Sequence, residues 1–142
     1  MIYTKMTKVA LKLCFDAHKE QCDKSGMPYV FHPFHLAEQM TDENSTIVAL
    51  LHDVIEDTDY TTDDLRAMGF SSEVIEAIAL LTHEPDVPYE DYLRRIKTNP
   101  LAKTVKIADI LHNSDQSRLD DNDPRAEYLK KKYSRALQIM EE

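Results

Sequence analysis

His52 and Asp53 stand side by side in the run Ala49-Leu50-Leu51-His52-Asp53-Val54-Ile55-Glu56-Asp57, and a second acidic pair follows one helical turn later. An imidazole and a carboxylate buried together among aliphatic residues are costly unless something compensates the charge, and a divalent metal is the usual compensation. In a helix His52 and Glu56 share one edge, and Asp53 and Asp57 share the next. Two more residues of ligand type flank the run, His32 upstream and Asp109 downstream. The four offer two imidazoles and two carboxylates from three segments. That mixed set suits Mn²⁺, Fe²⁺ or Zn²⁺ better than Ca²⁺, and it lacks the thiolates of a structural zinc site. Four ligands leave room for water and substrate, and a metal brings the pKa of such a water towards neutrality. A single buried histidine is ordinarily hydrogen-bonded core. The adjacent His-Asp pair, joined by the other two residues, is what points to a metal-dependent hydrolase.

Glu56 and Asp57 fall in the last turn of a predicted helix, where acidic residues oppose the macrodipole. They are either a solvated helix end or, beside a metal, groups that deprotonate an attacking water and protonate a leaving oxygen. Lys106 and Asn113 stand at i−3 and i+4 from Asp109, on the same side of their helix. Lys106 reads as an ion-pair partner or a phosphate contact. Asn113 reads as a ligand contact or a cap on a neighbouring helix. His112, one step round the helix, reads as a residue of an outer layer or the surface. His35 either reaches a second metal or stabilises the helix begun by Pro33, and His18 and His83 have no evident partner. Other cations available to a polyphosphate are Arg94, Arg95, Lys97 and Arg118, against a default of solvated helix charges.

These residues need rigid elements, and helical periodicity supplies them. From Tyr3 to about Cys22, the apolar positions Met6, Val9, Ala10, Leu13, Cys14 and Ala17 form one buried stripe. Lys24 to Pro28 breaks it, and Pro33 suits the first turn of a helix reaching about Met40. Asn44-Ser45 offers caps for a helix from Thr46 to about Glu56, apolar on most faces and therefore central. Shorter helices follow, from Thr61 or Thr62 to Gly69, from Ser71 to Leu81 and from Tyr89 to Lys97. The last two run from Leu101 to about Ser117 and from Arg125 to Met140, the latter behind an Asp123-Pro124 start. The expected fold is a single all-α domain, residues 1–142, of seven or eight helices.

Composition agrees and excludes some functions. The chain is 42% hydrophobic and 30% charged, with two glycines, which argues against a β-rich fold with many tight turns. A formal charge of −9 argues against nucleic acid as a partner while leaving room for a small phosphorylated ligand. No apolar stretch suggests a signal peptide or a membrane partner. Cys14 and Cys22, eight apart in one predicted helix, would lie roughly 12 Å apart, too far for a disulfide. Reduced thiols and the absence of a leader predict a cytoplasmic protein.

Three blocks carry a resemblance. Lys24-Ser25-Gly26-x-Pro28-Tyr29-x-x-His32-Pro33, Ala49 to Thr58, and Lys106-x-Ala108-Asp109-x-x-His112-Asn113 occur in this order. They resemble the HD-domain superfamily, and within it the hydrolase domain of RelA/SpoT-type alarmone enzymes and their small stand-alone relatives. The resemblance implies a helical domain that binds one Mn²⁺ and removes the 3′-pyrophosphate of (p)ppGpp by a metal-activated water. On that pattern His32, His52, Asp53 and Asp109 match the metal ligands, and Glu56 and Asp57 match the acidic pair that handles the water. Lys24 and Ser25 match positions that meet substrate phosphates, Asn113 matches one near the nucleoside, and Tyr29 supports the loop.

The chain departs from the pattern where the family commonly has basic or other residues, with Asp23 before Lys24, and with Ile110, Ser114 and Asp115 around His112-Asn113. The departures touch base recognition and leave the catalytic residues intact. They motivate a second expectation, an HD-type nucleotidase or pyrophosphohydrolase acting on another phosphorylated metabolite. A third is a non-catalytic sensor of metal and nucleotide, which Glu56 and Asp57 argue against. There is no synthetase motif, and the sequence leaves the oligomeric state open.

Overall fold

The computed structural model describes all 142 residues, and its regular elements are helices, with one isolated β-bridge between Cys22 and Pro28. The first helix, α1 (Lys5–His18), starts where the Thr4 side chain accepts from the Thr7 N–H and the Thr7 hydroxyl accepts from the Thr4 N–H. It ends at His18, earlier than the apolar stripe suggests, so Cys22 lies outside it. Residues 19–30 fold back on themselves. Asp23 N–H donates to the Met27 carbonyl at 2.8 Å, Tyr29 N–H donates to the Gln21 carbonyl at 2.9 Å, and Gly26 supplies the turn with φ +85°. Both cysteines are free, and burial pushes the Cys14 thiol up to about 12.

Helix α2 (Phe31–Glu38) follows, then α3 (Glu43–Leu51), which is capped by Asp42 through the Ser45 N–H at 2.7 Å, not by Asn44 or Ser45. Every residue from Ser45 to Leu51 is buried, as expected of a central helix. It packs on α1 and α2, and on α6 (Ser72–Leu81) and α8 (Pro100–Asn113). Burying each of its large aliphatic side chains contributes on the order of 1.5–3 kcal/mol. The structure corrects one expectation here. The helix does not continue to Glu56; it breaks at His52-Asp53, where Asp53 takes φ −107° and ψ 3°, and resumes as the single turn α4 (Val54–Asp57).

Helix α5 (Thr62–Ala67) closes at Gly69, which has φ +95°. Helix α7 (Tyr89–Ile96) leads into α8, which begins with Pro100 behind an Asn99 cap and stops at Asn113, short of Ser117. Asp115 then caps a short 3₁₀ turn, Gln116–Arg118, and α9 (Ala126–Glu141) completes the chain against α7 and α8. Eight helices of six residues or more, plus the single turn α4, surround one continuous core of 29 buried apolar residues.

Candidate active site

The break between α3 and α4 builds the centre of the site. His52 is the residue after α3, and its Nδ1 lies 2.7 Å from the carbonyl of Ala49, so Nδ1 carries the proton and donates. This leaves the lone pair on Nε2, which is buried and makes no aligned hydrogen bond. Two carboxylate oxygens face it, Asp53 Oδ2 at 3.2 Å and Asp109 Oδ1 at 3.5 Å. A lone pair opposed by two anionic oxygens demands a cation between them. Burial disfavours a charged ring, but the two carboxylates overrule it and hold the His52 pKa well above its ordinary value. In the absence of a metal, a proton fills that role.

His32, from α2, completes the cluster. Its Nε2 lies 2.8 Å from Asp109 Oδ1, and the candidate ligand atoms of His32, His52 and Asp109 all lie within 4.8 Å of one another. Asp109 is further held by Lys106 Nζ, donating to Oδ2 at 2.8 Å, and by Asn113 Nδ2, donating to Oδ1 at 3.1 Å. Burial raises the Asp109 carboxyl, but Lys106 and the two histidines outweigh it, so it stays well below the usual carboxylate range. Asp53 accepts a hydrogen bond from the Tyr29 hydroxyl. It too is raised by burial and then held low by His52, at about 2. His32, His52 and Asp109 form one buried, braced group, and the half-buried Asp53 adjoins it through His52 while also grouping with Glu56 and Asp57. Two nitrogen and two oxygen donors of this kind fit one divalent transition metal.

The acidic pair sits beside them. The carboxylates of Asp53, Glu56 and Asp57 lie within 4.8 Å of one another. Glu56 Oε1 accepts from the backbone N–H of His83 at 2.6 Å. Burial, then the charges of Asp53 and Glu56, raises Asp57 to about 6.

No protein-family model matches the chain. It is 33% identical over 114 residues to the guanosine-3′,5′-bis(diphosphate) 3′-pyrophosphohydrolase MESH1 of Mus musculus, covering 70% of this chain and 63% of that one. Homo sapiens MESH1 is 33% identical over 109 residues, with 68% and 60% covered. A Vibrio cholerae guanosine-3′,5′-bis(diphosphate) 3′-pyrophosphohydrolase is 48% identical over 67 residues, 44% of this chain and 9% of that protein. The chain thus spans about three fifths of the mammalian relatives' length. The chain is therefore (p)ppGpp-hydrolase-like in sequence. A solved structure, described as a metazoan ortholog of SpoT that hydrolyzes ppGpp, superposes with a TM-score of 0.76 at 23% identity, covering 99% of this chain and 85% of that one. It shares the fold.

Two cavities adjoin the His/Asp cluster, the first lined by Asp53 and Asp109 themselves and the second by Tyr29 and Asn113, which hydrogen-bond to them. One, of about 430 Å³, is lined by Asp53, Glu56, Lys106, Asp109 and Asn113 and walled by Tyr89, Tyr92 and residues of α9. The other, of about 480 Å³, contains Lys24, Ser25, Tyr29, Asn113 and Arg118. Lys106 is both an ion-pair partner of Asp109 and a cavity wall, lying 5.2 Å from the Tyr92 ring centre. Asn113 contacts Asp109 and borders both cavities. Of the other cations, Arg118 reaches the second cavity, whereas Lys97 binds the C-terminal Glu142 carbonyl at 2.8 Å and Arg94 pairs with Glu90.

The departures from the family pattern have structural employment. Asp23 Oδ1 accepts from the N–H groups of Ser25 and Met27, shaping the loop that carries Lys24 and Ser25, and Oδ2 lies 3.7 Å from Arg118. Asp115 accepts from the Ser117 N–H at 3.0 Å and caps the 3₁₀ turn. Sequence reading underrated His112, whose Nδ1 lies 2.7 Å from His32 Nδ1, and His18, which is buried against Tyr29. It missed Arg125, just before α9, and Lys132 on it, because their spacing matches any solvated helix face, and it read Tyr133 only as part of the inward apolar stripe of the last helix.

Proposed function

We propose that residues 1–142 form one metal-dependent phosphohydrolase domain that removes the 3′-pyrophosphate from (p)ppGpp. The observation that carries this reading is the buried His52 Nε2, unpartnered and opposed by Asp53 and Asp109, two carboxylates that line a cavity also holding Glu56. His32, His52, Asp53 and Asp109 would hold the metal, with Mn²⁺ the best match to the donor set and Fe²⁺ or Zn²⁺ as alternatives. A divalent cation in this set acidifies water and offsets charge on the phosphoryl oxygens. Glu56, fixed by the His83 N–H, is placed to take a proton from the attacking water. Asp57, raised to about 6, carries a proton part of the time near neutral pH and is placed to return one to the leaving group. Lys24, Ser25 and Lys106 meet phosphate oxygens, and Asn113 meets the nucleoside end. The substrate is a small phosphorylated nucleotide, and the free thiols suit a reducing cytoplasm.

The names of the relatives supply the substrate. The structural roles of Asp23 and Asp115 account for two of the four departures without invoking a different base. The test is pyrophosphate release from ppGpp by metal-stripped protein, with and without Mn²⁺, beside GTP, GDP and nucleoside monophosphates. Mn²⁺-dependent release from ppGpp alone is expected. Silence on ppGpp with cleavage of another nucleotide would transfer the same chemistry to a different substrate.

A further inference from the structure

Lys132 projects from α9 into the wall shared by the two cavities. Its Nζ lies 4.9 Å from the ring centre of Tyr89 and 5.6 Å from that of Tyr133, so aromatic faces hold the ammonium in place. Three other cations of the two cavities already have a carboxylate partner. Arg118 has Asp23 at 3.7 Å, and Arg125 has Asp123 at 2.6 Å. Lys106 is committed to Asp109. Lys132 and Lys24 pair with no carboxylate, although the chain carries 26 acidic residues against 17 basic ones. Uncompensated ammonium groups in a half-buried, polar cavity of an acidic protein form an anion site.

We propose that Lys132 determines specificity by binding the phosphate group of the substrate that is not cleaved, in the cavity it shares with Lys24. The site then selects nucleotides phosphorylated at both ends, because the scissile group faces Glu56 and the metal ligands while the distal group faces Lys132. This inference rests on the phosphohydrolase reading above. Burial and the neighbouring charges of Lys106 and Lys24 lower the Lys132 pKa, which is the strain a bound phosphate would relieve.

The experiment compares ppGpp with guanosine 3′-diphosphate, which has a free 5′-hydroxyl, on wild type, Lys132→Gln and Lys132→Arg. Wild type is expected to favour ppGpp in kcat/KM by at least tenfold. Lys132→Gln should collapse that preference mainly through KM for ppGpp, and Lys132→Arg should retain most of it. An equal loss on both substrates, or an unchanged preference, overturns the proposal. A second arm measures inorganic pyrophosphate binding to metal-free protein by calorimetry. At least fivefold weaker binding by Lys132→Gln is expected, and unchanged affinity overturns the role of Lys132. If wild type cleaves neither nucleotide yet Lys132→Gln loses pyrophosphate affinity, the hydrolase reading fails and the anion site stands.

Discussion

His32 and His112 face each other through their Nδ1 atoms at 2.7 Å, with the rings within 4° of parallel. Only one proton can occupy that contact. His112 is held neutral, lowered to about 4 by burial and then by the charges of Arg118, His32 and His35. In this structure His32 Nε2 shares its proton with Asp109; a metal taking the place of that proton would need His32 Nδ1–H to donate to the neutral His112, so that the Nε2 lone pair is free for it. Outer partners of this kind typically tune metal affinity by ~10–100-fold. His112→Phe should weaken Mn²⁺ binding by about that factor while preserving the helical circular dichroism spectrum. Unchanged affinity would show that His32 needs no such orientation.

His52→Ala removes a proposed metal donor and a buried ring together. Metal stoichiometry and activity should disappear in parallel. Glu56→Gln is the informative contrast, because the amide oxygen can still accept from the His83 N–H while the basicity is gone. Turnover should fall by ~10²–10⁴-fold with Mn²⁺ binding intact, as expected on losing one general base. Retained turnover would remove Glu56 from proton transfer.

The metal must displace a proton from His52, since the ring pKa in the folded metal-free protein lies above its ordinary value. Apparent Mn²⁺ affinity should therefore rise with pH until that folded value is passed. Stability has the opposite sign. A raised histidine pKa contributes stability below its unfolded value of about 6.5 and loses it as pH climbs through the folded value. Metal-free protein should melt at lower temperature at pH 9 than at pH 6, and Mn²⁺ should restore more at pH 9. At 100 times Kd the ligand contributes about 2.7 kcal/mol. Calorimetric melting at the two pH values checks both signs.

The His/Asp cluster and the helices were legible in the sequence because each rests on local chemistry. His52-Asp53 is conspicuous among aliphatic residues, and the stripes of α1 and α9 follow a single period. The break after Leu51 was not legible, since the apolar pattern runs on through Val54 and Ile55. It falls where the His52 ring takes up the Ala49 carbonyl with one nitrogen and faces Asp109, more than fifty positions away in the chain, with the other. The α9 contribution was equally hidden. Lys132 becomes distinctive only when Tyr89, more than forty positions away, is packed beside it.

Asp23 offers the clearest separation of a structural role from a recognition role. Its Oδ1 accepts two backbone N–H groups at 2.9 and 3.0 Å, whereas its partly exposed contact with Arg118 is 3.7 Å long. An ion pair of that length and exposure contributes ~0–1 kcal/mol, while the two hydrogen bonds, partly exposed themselves, contribute up to about 1 kcal/mol each. Asp23→Asn keeps the accepting oxygen and should lose under about 1 kcal/mol in chemical denaturation. Asp23→Ala should lose about 1–2 kcal/mol and loosen the loop that presents Lys24 and Ser25, raising KM with it. If Asn and Ala prove equally damaging, the negative charge itself is what the site needs, and the carboxylate acts on Arg118 or the substrate instead of shaping the loop.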